Sequence, residues 1–409
     1  MSVVSGGRGL NTMLVFTDLS RTPELAGVAE RLGIIDGQPF LIGEDGVFDR
    51  EVNAFLRSLV DPSSPGRNTW RTYAYHLTRF LGWLEQQQIA WRAVDRSVLR
   101  HYYTQRRFSQ KCPVSARTWN NIAAALTRFY EWAAMTREIA KSPVTYRDIR
   151  AGRMTATPGI QRVRSTIMES VPTRPVRYLP LRVYLAQFRP AFGGTRTAER
   201  DRAFADLLIS TGMRINEANS LFLGDLPDPD AVECRGKKTV PLTLHRGTKG
   251  RKVRVIRIPV HVLRTVFRYI AEDRENAVAM LSVRERPAEL WLSESGKPMK
   301  TARWHAVFRR ASQRSGVSCT PHMLRHAFAI HQLTAMIQRL LSDPAWATPS
   351  QPPYQVLLRD PLRQLQRLLG HASMATTFIY LDCLEEADRL LDDSLGNWTV
   401  PLQSMVDEQ

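Results

Sequence analysis

The apolar positions in the first third of the chain recur with a helical period. Tyr73, Leu77, Phe80, Leu81 and Leu84 fall at i, i+4, i+7, i+8 and i+11, a single stripe along one helix face. Asn120-Asn121 lead into Ile122, Ala125, Leu126, Phe129 and Tyr130, a second stripe of the same kind. Between them R-R-F-S-Q-K-C-P reads as a basic turn, and Arg71, Arg79, Arg117 and Arg128 punctuate the helices. Residues 45–149 are therefore expected to form a helical bundle. Residues 1–44 are weakly patterned and rich in Gly, which reads as an N-terminal arm or tail. Residues 150–178 contain T-P-G and V-P-T-R-P-V together with Arg150, Arg153, Arg162, Arg164, Arg174 and Arg177. Proline keeps such a segment extended, so it reads as a basic linker.

The remainder, 179–409, alternates between periods. Arg202 to Ser210 reads as a helix stopped at Thr211-Gly212, with a new helix starting around Arg214. Val240, Leu242 and Leu244 alternate, G-T-K-G turns the chain, and Val253, Val255 and Arg257-Ile258-Pro259 return it, a β-hairpin with Lys249 at its tip. Leu263, Val266, Phe267 and Ile270 mark a helix, as do Trp304, Val307, Phe308 and Ala311. From His322 onward the pattern is helical, interrupted by D-P-A-W-A-T-P-S-Q-P-P-Y at 343–354. The fold class that follows is mainly α with a small β-sheet (α+β): an N-terminal helical domain and a mixed, mostly helical second domain.

Charge narrows the class of partner. Lys plus Arg exceed Asp plus Glu by 57 − 39 = 18 in 409 residues. Such an excess favours a polyanion, because each phosphate neutralised releases condensed counterions. Cys112, Cys234, Cys319 and Cys383 form no C-x-x-C pair, which argues against a disulfide framework or a cysteine zinc site. No signal peptide and no run of about 18 apolar residues is read, so a cytoplasmic, nucleoid-associated protein without a membrane partner is expected.

Candidate chemistry lies in five stretches: Arg214 in T-G-M-R-I-N-E-A, Lys249 in T-K-G-R-K, His322 and Arg325 in P-H-M-L-R-H, His371 in L-G-H-A-S, and Tyr380 in F-I-Y-L-D. Phosphodiester cleavage passes through a five-coordinate phosphorus with extra charge on its non-bridging oxygens. The planar fork of Arg matches two such oxygens, which points to Arg214 and Arg325. His322 and Arg325 stand at i and i+3 and share a helix face. Glu217, one turn after Arg214, is placed to support it. His326 reads as a buried, hydrogen-bonded core histidine, and a His322/His326 zinc pair lacks the Glu that a zinc protease places after its first His. At the hairpin tip Lys252 competes with Lys249 for the role of acting lysine. Tyr380 is a phenol that becomes a nucleophile once its proton is removed or shared.

In order and wording these motifs resemble the tyrosine recombinases, the family of phage integrases and related site-specific recombinases. The resemblance spans roughly residues 180–395, and more loosely the helical region before them. It implies a core-binding helical domain that clamps DNA opposite the catalytic domain. Tyr380 would then form a 3′-phosphotyrosyl link, Lys249 would protonate the departing 5′ oxygen, and His371 would bond phosphate or support Tyr380. It further implies a double-stranded DNA site, a tetramer on DNA, accessory DNA-bending proteins, and neither metal nor cofactor. Alternatives within reach of the same residues are a type IB-like topoisomerase and a catalytically silent DNA-binding protein of the same fold; a metal-dependent nuclease lacks clustered carboxylates. The chain departs from the family between Arg325 and His371, where an insertion near 340–362 is expected to contact DNA or a neighbouring protomer. The tail, 381–409, is acidic and amphipathic, with Leu381, Leu384, Leu390, Leu391 and Leu395, and is expected to pack on protein, in its own subunit or the next.

Overall fold

The computed structural model describes residues 12–43, 46, 49–60, 67–110, 112–148, 163–171, 175–231, 236–248, 253–279, 281, 286–341, 360–371 and 373–384. The chain divides into two compact units, 1–173 and 174–409. Among the described residues no helix is long and apolar enough to cross a membrane.

The first unit is built on helices α1 (Ala26–Arg31), α2 (Arg50–Ser58), α3 (Arg67–Gln86), α4 (Arg96–Phe108) and α5 (Ala116–Met135). The two predicted stripes are the buried faces of α3 and α5, which meet through Ala74, Leu77, Phe80, Ile122, Leu126, Phe129 and Tyr130. Helix α5 begins several residues before Asn120, because the Ser115 hydroxyl caps it by accepting the Thr118 N–H at 3.1 Å.

Two expectations for this unit are corrected. Residues 12–43 are no arm or tail: β1 (Thr12–Phe16) pairs antiparallel with β2 (Pro39–Gly43), and Leu14, Phe16 and Leu41 enter the helical core. The buried Asn53 amide secures this, donating to the Leu41 carbonyl and accepting the Leu41 N–H, both at 2.8 Å. A strand of only five residues whose partner lies beyond α1 leaves little trace in the sequence. Nor is 150–178 a linker throughout. Strand β3 (Tyr146–Asp148) pairs with β4 (Val163–Ser165), after which Trp119 donates to the Ile167 carbonyl at 2.7 Å and Arg107 grips Glu169. Residues 149–162 lie outside the described residues.

In the second unit α6 (Ala198–Thr211) runs through the core and stops at Gly212. Helix α7 (Ile215–Asn219) follows directly. The hairpin forms as β5 (Thr239–Leu244) against β6 (Arg254–Pro259), with Leu242 opposite Ile256. Its return strand buries Ile256 and Ile258, whereas Val253 and Val255 are 60% and 59% exposed. Helices α8 (Val260–Tyr269) and α9 (Thr301–Ser315) complete the main core, in which Trp304 stacks on Phe204 at 3.6 Å. Helix α10 (Pro321–Leu341) packs on α6 and on α11 (Pro361–Leu369), and α12 (Ala375–Phe378) precedes Tyr380. A second, smaller cluster joins Phe328, Leu333, Leu365, Leu369, Tyr380 and Leu384. The expected insertion lies outside the described residues at 342–359, while Asp360 already caps α11 by accepting the Leu362 N–H at 2.9 Å. The tail beyond Leu384 also lies outside them.

Gly212 fixes how α6 meets α10. Its φ of +64° is left-handed, and a Cβ there would come 2.3 Å from a ring carbon of Phe328. Gly212→Ala is expected to lower stability by on the order of 2–4 kcal/mol, through backbone strain plus overpacking. Chemical denaturation checks this, and an unchanged midpoint would overturn it.

Candidate active site

The site assembles around the start of α7. Gly212 turns the chain so that Arg214 is extended at the helix entrance. Glu217 reaches back to accept the Arg214 backbone N–H and its Nη1, each at 2.8 Å. The same carboxylate accepts Nη2 of Arg254 at 2.6 Å and Nε at 3.3 Å. The Glu217 side chain is fully buried. Burial pushes its carboxyl pKa up, but the hydrogen bonds and charges of Arg254 and Arg214 outweigh this and hold it below the ordinary range. One carboxylate therefore lies between two guanidiniums.

Arg325 adds a third guanidinium. It is only 2% exposed, and it donates to the Gly212 carbonyl and, at 2.6 Å, to that of Leu369. Burial, with the charges of Arg214 and Arg254, lowers its pKa to about 10, so it remains a cation at neutral pH. The C-terminal end of α11 presents three consecutive carbonyls to these groups: Leu368 accepts from Arg254, Leu369 from Arg325, and Gly370 from Arg214 at 3.0 Å. These acceptors have no further helical turn to satisfy them and sit at the negative end of the helix dipole, which explains why cations gather there. Set against the single charge of Glu217, three guanidiniums leave a net positive site suited to one phosphate.

His371 follows Gly370, whose φ of +62° ends the helix. Its Nδ1 lies 3.1 Å from the Thr377 hydroxyl, and its ring is nearly parallel to that of Tyr380, with centroids 6.2 Å apart. Tyr380 is 1% exposed, and its hydroxyl lies 3.0 Å from Nδ1 of His326. Burial raises the phenol pKa to about 12, against the lowering pull of Arg325 and Arg214. His322 is exposed, with its ring centroid 4.2 Å from that of His326. Partial burial and the nearby arginines lower its pKa. His326 and His371 are each lowered to about 4, by burial first and then by surrounding positive charge.

The structure thus brings Arg214, Glu217, His322, Arg325, His371 and Tyr380 into one neighbourhood. Lys249, like Lys252, lies outside the described residues. The near end of its loop rests on α7: a Cβ on Gly247 would come 2.3 Å from the Asn216 carbonyl oxygen.

Residues 189–339 match the phage integrase family, and residues 52–137 match the phage integrase N-terminal SAM-like domain, together more than half of the chain. Tyrosine recombinase XerC 2 of Ralstonia nicotianae is 28% identical over 333 residues, which cover 80% of each chain. The chain belongs to the tyrosine recombinase family. Tyrosine recombinase XerC of Halalkalibacterium halodurans is 25% identical, over 84% of this chain and 95% of that one. The fold resembles that of the XerH site-specific recombinase bound to palindromic difH substrate in a post-cleavage complex, with TM-score 0.54 and 18% identity over 85% and 88% of the two chains. It also resembles the Tn1549 transposon integrase in complex with transposon right end DNA, with TM-score 0.53 and 16% identity over 81% and 94%. As a tyrosine recombinase, this protein is a site-specific enzyme of DNA strand cleavage and rejoining.

Two residues of this neighbourhood escaped the reading of the sequence. His326, expected in the core, is half-buried and is the side chain that meets the Tyr380 hydroxyl. Arg254 leaves a fainter sign: it occupies the inward row of β6 with Ile256 and Ile258, where an unpaired charge is costly.

The histidine values carry a pH dependence. Between about pH 4 and 6.5 the unfolded chain binds protons that folded His326 and His371 refuse. Their contribution to stability is therefore present above about 6.5 and lost as pH falls toward 4. Thermal melts across that window should show Tm falling with acidification, less steeply in His326→Gln. An unchanged slope in the variant would remove His326 from the account.

Proposed function

We propose that this recombinase cleaves double-stranded DNA at a specific site through Tyr380, with the scissile phosphate held by Arg214 and Arg325. The phenolic oxygen attacks phosphorus, the P–O5′ bond breaks, and a 3′-phosphotyrosyl link and a free 5′ hydroxyl result. Lys249 supplies the proton that the departing 5′ oxygen takes up. Attack by the 5′ hydroxyl of a partner strand reverses the step, so the bond energy stays in the covalent intermediate and no external energy source is consumed. The observation that carries this reading is the convergence of three guanidiniums on the end of α11, next to a tyrosine held by a histidine.

The histidines take different roles in this reading. With His326 near 4 and Tyr380 near 12, the phenol keeps its proton in this arrangement, and His326 orients it. Deprotonation belongs to the phosphate-bound geometry, in which His322, exposed beside His326, is the base and His371 bonds a non-bridging oxygen. Full strand exchange needs two duplexes and a tetramer, with accessory DNA-bending proteins where the site requires them. Such a protein works in the cytoplasm, with the nucleoid.

Covalent capture tests the reading. Wild-type protein incubated with fragmented genomic DNA in EDTA, then denatured, should retain DNA attached at Tyr380 through a 3′ phosphate at a recurrent sequence. Tight native binding without any attachment would leave a DNA-binding protein that does not cleave. Attachment with relaxation of supercoils but no strand exchange would favour the topoisomerase alternative.

A further inference from the structure

We propose that Arg254 is a positioning residue for cleavage, acting through Glu217 to keep Arg214 free for the scissile phosphate. The inference rests on the reading of Arg214 as a phosphate ligand.

Arg254 lies in the inward row of β6, its side chain 13% exposed, where Ile256 and Ile258 build the core. A guanidinium in that row must be fully paired to be tolerated. Its partners are all parts of the site's frame: both oxygens of Glu217 through Nε and Nη2, and the Leu368 carbonyl through Nη1. It thereby ties the hairpin to α7 and to the end of α11 that leads into His371. The approach is close, since a Cβ on Gly370 would come 3.1 Å from Cδ of Arg254.

Electrostatics shows what this tie does. Glu217 bonds Arg214 through both its backbone and its guanidinium, so it positions Arg214 and also competes with phosphate for it. With Arg254 in place, one carboxylate charge is shared between two guanidiniums, and Arg214 keeps a positive surplus to offer. Without Arg254, the buried carboxylate has Arg214 as its remaining ion-pair partner and neutralises it. Both the charge on the phosphate clamp and its orientation are then lost.

The test compares single-turnover release of the 5′ hydroxyl end from an ordinary scissile phosphate and from a methylphosphonate. The methylphosphonate has a methyl in place of one charged non-bridging oxygen and needs less cationic stabilisation. Arg254→Gln is expected to slow cleavage of the phosphate by about 10- to 100-fold, and that of the methylphosphonate by no more than about threefold. Arg214→Ala should show the same relief, and the double variant should be no slower than Arg214→Ala beyond about threefold, because both changes remove one effect. Arg254→Lys, which keeps the charge without the fork, should recover part of the loss while melting near the wild-type temperature. An equal deficit of Arg254→Gln on both substrates, with Arg214→Ala relieved, would reduce Arg254 to a structural role and overturn the proposal; so would a wild-type rate. If Arg214→Ala shows no relief, the reading of Arg214 as a phosphate ligand fails, and the proposal falls with it.

Discussion

Tyr380→Phe should bind DNA as the wild type does and form no covalent complex, with cleavage reduced by on the order of 10⁵-fold or more, as follows if the proposed nucleophile of a covalent mechanism is removed. The substitution deletes one oxygen from a side chain that is 1% exposed and packed with Phe328, Leu365 and Leu369. The ring still fills the same space, so the small cluster stays packed. The lost hydrogen bond is the one to His326, a half-buried imidazole that water can reach in exchange. Stability should therefore fall by about 1 kcal/mol or less. Denaturing gels with end-labelled substrate, run beside a native binding assay, measure both effects. Covalent attachment by the Phe variant would place the nucleophile elsewhere and dissolve the assignment of the site.

Arg325→Ala is the second large effect, and here activity and stability fall together. The guanidinium links the Gly212 carbonyl at the end of α6 to the Leu369 carbonyl at the end of α11. Truncation leaves both buried acceptors without their donor and opens a cavity beneath the site. A loss on the order of 2–4 kcal/mol is expected from these two causes. Cleavage should drop by about 10³-fold, the scale of losing one preorganised charged donor to a developing oxyanion. Arg325→Lys restores charge but cannot reach both carbonyls and a phosphate with one ammonium, so it should regain stability less than fully and activity hardly at all. Single-turnover cleavage with a parallel urea titration distinguishes the two losses. An Ala variant that cleaves within tenfold of wild type, on the scale where about 1.4 kcal/mol is tenfold, would remove Arg325 from the phosphate site.

Sequence and structure divide this recombinase between them along a physical line. The stripes of α3 and α5, the stop at Gly212, the start of a helix after Arg214 and the turn between Val240 and Ile258 were all legible, because each depends on residues within a few positions of one another. The motif residues could be collected into one list by type and order. Their geometry could not. Glu217 takes its second guanidinium from Arg254, 37 residues on, and α11 brings its terminal carbonyls to arginines 44, 114 and 156 residues away in sequence. His326 and Tyr380, 54 residues apart, meet only because α10 and α11 pack together over Leu365 and Leu369.

The N-terminal hairpin makes the same point for the fold. A strand of five residues carries little local preference, and it is a distant side chain, the buried Asn53 amide on α2, that holds β2 through both backbone groups of Leu41. What the sequence by itself determined is the set of helices, the hairpin and the inventory of cationic, imidazole and phenolic groups, since backbone sterics and side-chain period act locally. Only the tertiary structure decided which histidine meets Tyr380, which arginine shares Glu217, and that three guanidiniums converge on one helix end. Those choices depend on which distant surfaces are buried together, and burial is what turns an ordinary Arg–Glu contact or Tyr–His contact into part of an active site.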